Sequence, residues 1–260
     1  MTKHLNIEFQ KEVTDNIAKL GQSDHLKQLA NQFLIDSAKY KYSYNFSWLG
    51  RPIIQVPQDM AALQELVWQT RPDLIIETGI AHGGSLILSA SLLALLDYTD
   101  AVESGCSLDP SASKRKVIGI DIDIRLHNRQ AIEAHPMSHM IEMFEGSSTD
   151  EAIIQQVKEA AAGYQRVLVC LDSNHTHDHV LAELEAYSPL VTSGSYCIVY
   201  DTVVDDMPGD MFPDRPWGPG DNPKTAVHQF IQHHPEFAID KQMDAKLLIS
   251  VAPDGFLKRL

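Results

Sequence analysis

The chain has 260 residues, 44% of them hydrophobic and 22% charged, which is typical of a globular protein with one full core. Its formal net charge of -14 argues against nucleic acid or an anionic membrane as the main partner. The three cysteines show no CxxC spacing, so we expect free thiols and a cytoplasmic protein. We expect neither a signal peptide nor a membrane span, because no apolar run approaches the roughly 20 residues that cross a bilayer.

The N-terminal part of the chain predicts two amphipathic helices, over residues 6–20 and 23–40, and then an aromatic-rich loop over residues 40–52. We expect residues 1–56 to form a cap or the contact of a homo-oligomer, and the sequence does not choose between these. The aromatic rings either line a substrate pocket or pack beneath the cap. Residues 57–260 are predicted to form the main domain.

From residue 57 onward, helices alternate with short and uniformly apolar strands. This rhythm predicts an α/β fold with a Rossmann-like, doubly wound, mostly parallel sheet and helices on both faces. A short polar link between the last two strands predicts an antiparallel hairpin at the C-terminus. The first strand is predicted to begin at residue 74, and the others are predicted to cover 117–121, 140–144, 167–171, 196–199, 237–240 and 247–251. Helices are predicted over 57–69, 85–96 and 178–186. Two more are predicted to begin at a capping box over 148–151 and just after residue 222, and residues 99–115 are predicted to form a surface insertion.

The stretch from Glu77 to Ser85 shows the end of a buried strand, a glycine-rich turn and the start of an apolar helix. This order is typical of a nucleotide-type cofactor site, because glycine lets a ligand approach the backbone and the helix start offers free N–H groups. The turn lacks the lysine of a P-loop, and its GxxxGG spacing differs from the dinucleotide motif GxGxxG. Glu77 would repel a pyrophosphate, so it favours a cationic or hydroxyl-rich ligand.

S-adenosylmethionine has this chemistry, since it carries a sulfonium, an ammonium and a ribose diol without a phosphate. Asp121 ends the second predicted strand, where it can accept hydrogen bonds from ribose hydroxyls. The alternative is that Glu77 and Asp121 only cap strand ends. Two acids after two consecutive strands, one of them beside a glycine cluster, favour the cofactor site.

Glu77 to Ser85 resembles the first motif of class I S-adenosylmethionine-dependent O-methyltransferases. The ordered motifs from about residue 40 onward resemble, more narrowly, the cephalosporin hydroxylase and rhamnosyl O-methyltransferase family. The resemblance implies a class I methyltransferase fold and a small-molecule acceptor with a hydroxyl group, such as a sugar, a polyol or a secondary metabolite. The matching pieces are Trp48–Pro52, Pro57–Asp59, Glu77–Ser85, Val117–Asp121, Gly146–Ser148, Leu171–Asp172 with His175, and Asp201–Thr202.

A cofactor site follows from these motifs, with Ser147 or Ser148 near the adenine. The acceptor is expected to lie beneath two segments, Val203–Asn222 and Tyr40–Arg51. The predicted cofactor contacts are Glu77, Gly79, His82, Gly83, Gly84, Ser85, Asp121, Ser147, Ser148 and Asp172.

Asp172 and Asp201 end the fourth and fifth predicted strands and therefore lie on the same rim as Asp121. Two carboxylates there can share a Mg²⁺ ion, which prefers oxygen ligands and lowers the pKa of a substrate hydroxyl. The resemblance implies acids at both positions. Relatives often carry a third acid where Tyr200 stands, so the third ligand shifts to Thr202 or water. The alternative is that both acids only cap a helix or a loop.

His175 follows Asp172 by three residues, near the place where metal-dependent catechol-type methyltransferases carry a lysine base. Histidine has a suitable pKa for proton transfer near neutrality. His175 or Asp172 would take the hydroxyl proton while the oxygen attacks the sulfonium methyl group in line. The alternative is that His175 is an N-cap or a surface residue.

The histidine-rich run from His175 to His179 suggests a second function. It resembles the HxHxDH zinc motif of metallo-β-lactamase-type hydrolases, although the spacing differs by one residue. Residues at i and i+4 on a helix can ligate zinc together. A metallohydrolase that uses His175, His177 and His179 is therefore the alternative, and a non-catalytic Rossmann-like binding protein is a third class. The favoured prediction is a Mg²⁺-assisted, S-adenosylmethionine-dependent O-methyltransferase.

Overall fold

The computed structural model describes residues 7–260, which contain a seven-stranded sheet with helices on both faces. The strands are β1 (Phe46–Trp48), β2 (Arg51–Ile53), β3 (Leu74–Thr78), β4 (Lys116–Asp121), β5 (Ile141–Glu145), β6 (Val167–Leu171), β7 (Tyr196–Val199), β8 (Phe237–Ile239) and β9 (Phe256–Arg259). The sheet has the order β5-β4-β3-β6-β7-β9-β8, while β1 and β2 form a separate antiparallel pair. Only β9 runs antiparallel to its neighbours β7 and β8. The predicted fold class is confirmed.

The three central strands β3, β6 and β7 are buried along their whole length. Strands covered on both faces bury every side chain, which is why they are continuous apolar runs. Thr78 pairs with Ile120 of β4 and with Leu171 of β6, and Leu171 pairs with Val199 of β7. These parallel strands therefore end along one edge of the sheet, and the residues after them emerge side by side.

Helices cover the sheet in two apolar layers. Ile75 belongs to the layer that contains the helices over 57–70 and 84–104. Its neighbour Ile76 belongs to the layer that contains the helices over 151–161, 177–187 and 223–233. This alternation follows from the two-residue repeat of a strand. The helices are α1 (Ile7–Gly21), α2 (Asp24–Ala38), α3 (Pro57–Thr70), α4 (Gly84–Ser104), α5 (Leu126–Glu133), α6 (Glu151–Ala161), α7 (His177–Tyr187), α8 (Pro223–His233) and α9 (Lys241–Leu247).

Helix α4 extends well beyond residue 96, where the sequence predicts its end, so the predicted insertion over 99–115 is partly helical. Its 21 residues meet the length and hydropathy of a bilayer-spanning helix, contrary to our expectation that no run would do so. Half of its most apolar window is buried inside the protein. Leu86 and Leu93 of this helix are fully buried in the core, and a core helix meets the same criteria of length and hydropathy.

The predicted strand over 247–251 is wrong. Residues 241–247 form α9, Leu248 has a left-handed φ of 58°, and the last strand is β9, further along the chain. The backbone N–H of Val251 donates to the carboxylate of Asp59 on α3, at 2.9 Å. This apolar run therefore packs against α3 and does not pair within the sheet.

Two further local predictions differ from the structure. The aromatic loop over 40–52 contains β1 and β2, which turn at Leu49 and Gly50 with left-handed φ values of 45° and 86°. The capping box expected at Ser148 is absent, because Asp150 is the N-cap of α6 and makes no side-chain capping hydrogen bond.

Helices α1 and α2 confirm the two predicted N-terminal helices, although the predicted start at residue 6 lies outside the described residues. Several apolar side chains of α1 are exposed, including Ile7 and Phe9. The cap or homo-oligomer role of residues 1–56, and the boundary of the main domain at residue 57, stay predictions.

Candidate active site

A cavity of about 790 Å³ opens at the edge of the sheet where β3, β4, β6 and β7 end. Its floor consists of the turn after β3 and the residues that follow the other strands. Its walls come from α2, the segment after α2, and the long loop before α8. The predicted site residues that line it are Gly79, His82, Gly84, Ser85, Asp121, Ser147, Ser148, Asp172, His175 and Asp201.

The glycine turn is shaped by close contacts that admit no side chain. Gly79 has a φ of 90°, and a Cβ atom there would lie 1.9 Å from the carbonyl oxygen of Asp172. A Cβ atom on Gly84 would lie 2.2 Å from the carbonyl oxygen of Pro52. Gly83 has a φ of 80° and is the N-cap of α4. The turn is therefore pressed between β2 and the end of β6, and its backbone faces the cavity.

Asp121 joins the end of β4 to this turn. Its Oδ2 atom accepts hydrogen bonds from the backbone N–H groups of Ile80, at 2.8 Å, and Ala81, at 3.2 Å. The carboxylate also lines the cavity, where it can accept further hydrogen bonds. On the other side of the turn, the Arg51 guanidinium donates to the carbonyl oxygen of His82 and to Asn128.

Glu77 lies behind the turn and not on the wall of the large cavity. Its side chain is 3% exposed, accepts a hydrogen bond from the Ser85 hydroxyl, and borders a small chamber beside Asp59 and Tyr200. Burial raises the pKa of Glu77 to about 7, and the Ser85 hydrogen bond only partly offsets this. The structure therefore places Glu77 behind Ser85, which it supports through a hydrogen bond, and not on the cavity wall where the sequence predicts a cofactor contact.

Three side chains could hold a metal ion at the ends of β6 and β7. The ligand atoms of Asp172, His175 and Asp201 all lie within 4.8 Å of one another. Asp201 has a left-handed φ of 55°, and its Oδ2 atom lies 2.9 Å from Nδ1 of His175. A non-glycine residue in this conformation is uncommon and often marks a functional site.

The electrostatics of this group reflect two carboxylates at close range. Burial and the charge of Asp201 raise the pKa of Asp172 well above its usual range. Burial lowers the pKa of His175, but the charge of Asp201 and its hydrogen bond outweigh burial, so that pKa is raised. The charge of Asp201 contributes to both shifts, and a cation bound there would offset that contribution.

The prediction of Thr202 as a metal ligand does not agree with the structure. Thr202 is fully buried, and its hydroxyl donates to the carbonyl oxygen of Pro253 at 2.6 Å. Its neighbour Tyr200 is also buried and packs beside Cys170 and Glu77. Instead, His175 lies beside the two carboxylates, with its Nδ1 atom 2.9 Å from Oδ2 of Asp201.

The three histidines of the run 175–179 point to different partners. His177 contacts the Thr225 hydroxyl at 2.8 Å and Gln229 at 3.0 Å, both on α8. His179 lies 3.1 Å from the Ser148 hydroxyl and 3.5 Å from the Glu183 carboxylate. Because α7 begins only at His177, His175 precedes the helix and shares no face with His179. The structure therefore gives no support to a zinc site made of these histidines.

Two cavity residues that contact the Asp172–His175–Asp201 group were not singled out by sequence reasoning. Gln55 donates from Nε2 to Oδ2 of Asp172 at 3.4 Å, and it lies in an irregular segment without a recognisable motif. Trp217 lines the cavity with its ring centroid 5.2 Å from that of His175. The proline-rich character of its loop predicts a functional segment but does not single out one residue.

A match to a protein family identifies the family of this chain. The family described as rhamnosyl O-methyltransferase/CmcI matches residues 40–260. The chain belongs to this family. The matched residues include the β1–β2 hairpin as well as the sheet. The cavity wall formed by the segment after α2 therefore lies largely within the matched residues.

Members of the rhamnosyl O-methyltransferase/CmcI family are similar to the chain over most of its length. A rhamnosyl O-methyltransferase of Mycobacterium bovis (strain BCG / Pasteur 1173P2) is 28% identical over 204 residues, which cover 77% of this chain and 73% of the relative. The rhamnosyl O-methyltransferase of Mycobacterium leprae is 26% identical over 215 residues, which cover 82% of each chain. Among solved structures, a CmcI complex with magnesium and S-adenosylmethionine has a TM-score of 0.54 at 17% identity, covering 84% of this chain and 77% of the other. This likeness confirms the fold.

Proposed function

We propose that the protein is an S-adenosylmethionine-dependent O-methyltransferase that methylates a hydroxyl group of a sugar. The observation that carries the proposal is one cavity in which the glycine turn with Asp121 faces the Asp172–His175–Asp201 group. The curated relatives named rhamnosyl O-methyltransferases support a sugar as the acceptor, and rhamnose is the first to test.

The cofactor would lie along the glycine turn. The missing side chains at Gly79 and Gly84 let the turn pack against Asp172 and Pro52, which holds its backbone at the cavity, and the start of α4 supplies unpaired N–H groups. Asp121 is the acceptor for the ribose hydroxyls, because its carboxylate reaches the cavity from the adjacent strand end. Ser147 and Ser148 also line the cavity and are proposed to lie near the adenine.

A divalent cation fits the chemistry of the acidic group. Asp172 and Asp201 offer oxygen ligands. Burial and, second to it, the charge of Asp201 raise the pKa of Asp172, and a cation would offset the effect of that charge. His175 lies within the same group of ligand atoms, with its Nδ1 atom paired to Asp201. We propose Mg²⁺, which the CmcI complex also contains. When bound there, Mg²⁺ would hold acceptor hydroxyls and lower the pKa of the one that is methylated.

The residues of the chain then account for the proton and the methyl group. His175 is oriented through Nδ1 by Asp201, which leaves Nε2 to take the hydroxyl proton, with Asp172 as the alternative base. The acceptor oxygen forms a bond to the methyl carbon while the sulfur–methyl bond breaks. The electron pair of the broken bond returns to sulfur. The products are a methyl ether, neutral S-adenosylhomocysteine and one proton. The protein contributes chiefly by holding both partners in line.

The proposal is tested by incubating the protein with S-adenosylmethionine, Mg²⁺ and methyl rhamnoside, and by following S-adenosylhomocysteine and the methylated sugar by mass spectrometry. We expect both products in equal amounts, and neither when S-adenosylmethionine is omitted. Formation of S-adenosylhomocysteine without a methylated acceptor would contradict the proposed substrate class. A hydrolysed substrate without S-adenosylhomocysteine would favour a hydrolase instead.

A further inference from the structure

The long loop between β7 and α8 carries an aromatic pair at the mouth of the cavity. The ring centroids of Trp217 and Phe212 are 4.9 Å apart, and both residues line the cavity. Trp217 is tilted by 44° against the ring of His175, with centroids 5.2 Å apart. The indole therefore lies next to the proposed base, within the cavity that the glycine turn also lines.

The loop that bears Trp217 is tied down close to this residue. The Asn222 side chain donates to the Gly218 carbonyl oxygen at 2.8 Å and to the Asp205 carboxylate at 2.7 Å. Gly218 and Asp221 exchange backbone hydrogen bonds of 3.0 and 3.1 Å. Asn222 is itself the N-cap of α8 and is fully buried. The position of Trp217 is thus fixed by the fold.

A second tryptophan, on α3, also has an arginine over its ring, and the comparison shows what is unusual about the arginine beside Trp217. Arg71 lies over the ring of Trp68 at 5.4 Å, and Arg215 lies over the ring of Trp217 at 5.7 Å. Arg71 also forms a salt bridge with Asp100. Within residues 7–260, the guanidinium of Arg215 has no carboxylate at salt-bridge distance, although the chain has 35 acidic and 21 basic residues. An unpaired arginine that lines a cavity can bind an anion there.

We propose that Trp217 and Arg215 form the acceptor subsite, and that this subsite takes a sugar ring bearing a phosphate group. The apolar C–H face of the sugar packs on the flat indole, which directs a ring hydroxyl toward His175. The phosphate pairs with the Arg215 guanidinium at the mouth of the cavity. This inference rests on the proposed methyltransferase function and specifies its acceptor.

Three probes separate the parts of this proposal: methyl rhamnoside, which is neutral, rhamnose 1-phosphate, and a nucleoside diphosphate rhamnose. The variants are Trp217→Ala, Trp217→Phe and Arg215→Gln, and Trp68→Ala is the matched control outside the cavity. KM is measured for each probe, and the affinity for S-adenosylmethionine is measured separately by calorimetry. A difference between the last two probes shows whether the phosphate belongs to a monoester or to a nucleotide.

We expect Arg215→Gln to raise KM for the phosphorylated probes by about tenfold or more and to leave KM for methyl rhamnoside unchanged. Trp217→Ala should raise KM for all three probes by a similar factor, Trp217→Phe should raise KM less because an aromatic ring remains, and Trp68→Ala should stay close to wild type. The affinity for S-adenosylmethionine should stay constant throughout. An equal effect of Arg215→Gln on neutral and phosphorylated probes, or no effect of Trp217→Ala, overturns the proposal.

Direct binding distinguishes failure of this subsite from failure of the methyltransferase function. Quenching of tryptophan fluorescence by rhamnose 1-phosphate should occur in the wild type and disappear in Trp217→Phe, whether or not the protein turns over. Absence of S-adenosylmethionine binding with this quenching intact would refute the methyltransferase and keep the subsite. Intact S-adenosylmethionine binding without the quenching would refute the subsite alone.

Discussion

Replacement of Glu77 by glutamine tests how the glycine turn is supported. The carboxylate is 3% exposed and its main partner is the Ser85 hydroxyl, so burial raises its pKa from 4.5 to about 7. A raised pKa means that the folded state holds the proton more tightly than the unfolded state. The protonated carboxyl favours folding at low pH, and this advantage is lost as the pH rises toward 7. At about 1.4 kcal/mol per pH unit, the buried charge costs about 3 kcal/mol above pH 7.

Glutamine keeps the acceptor for Ser85 and removes the charge. We therefore expect Glu77→Gln to be more stable than wild type, with a gain in the free energy of unfolding that grows by about 2 kcal/mol between about pH 5.5 and pH 8.5. Urea unfolding followed by circular dichroism over this range measures the gain. Glu103→Gln, at an exposed position on α4, is the matched control and should show the pH dependence of wild type. A constant difference between Glu77→Gln and wild type at every pH would refute the reasoning.

Three further substitutions test separate parts of the site. His175→Ala should lower turnover by about 10²–10⁴-fold while calorimetry shows unchanged affinity for S-adenosylmethionine, and near-normal turnover would assign the proton to Asp172 or to solvent. Thr202→Val should lower the free energy of unfolding in urea by about 1–3 kcal/mol, because the Pro253 carbonyl loses its donor. The Mg²⁺ dependence of turnover should stay unchanged, and a shift in it would restore Thr202 as a ligand. Gly79→Ala should abolish cofactor binding, since the added Cβ atom meets the Asp172 carbonyl at 1.9 Å, whereas the open position Gly209→Ala should not.

The sheet could be predicted because its central strands are buried on both faces. Runs such as Val167–Leu171 are apolar at every position, and helices separate them at regular intervals. The same criterion failed at 247–251, because a short apolar run does not distinguish a strand from a segment packed against a helix. There the hydrogen bond from Val251 to Asp59 decided the outcome, and no local pattern announces a contact of such long range.

The candidate site could be predicted as far as strand ends determine it. Asp121 ends β4, and Asp172 and Asp201 lie just after β6 and β7. These parallel strands end along one edge of the sheet, so the three acids reach one cavity. The direction of individual side chains could not be predicted. The left-handed backbone at Asp201 pairs its carboxylate with His175, while the hydroxyl of Thr202 turns to Pro253. These details depend on loop geometry, which has no periodicity in the sequence.

The part of the site that contains Trp217 and Gln55 depends on irregular segments. Trp217 stands in a loop of prolines and acidic residues, and its place beside His175 follows from the hydrogen bonds of Asn222 further along the chain. Gln55 reaches Asp172 from the segment before α3. Both contacts join parts of the chain whose spacing carries no motif, so only the folded structure reveals them.

Calorimetric titration with S-adenosylmethionine, in the absence and presence of Mg²⁺, tests the central claim most directly. We predict one binding site for S-adenosylmethionine per chain in both conditions. We also predict that turnover requires Mg²⁺ and that Asp201→Asn lowers the affinity for this ion. Binding without any effect of Mg²⁺ on turnover would contradict only the role of the metal. No binding of S-adenosylmethionine in either condition would contradict the account of the cavity as a methyl-donor site.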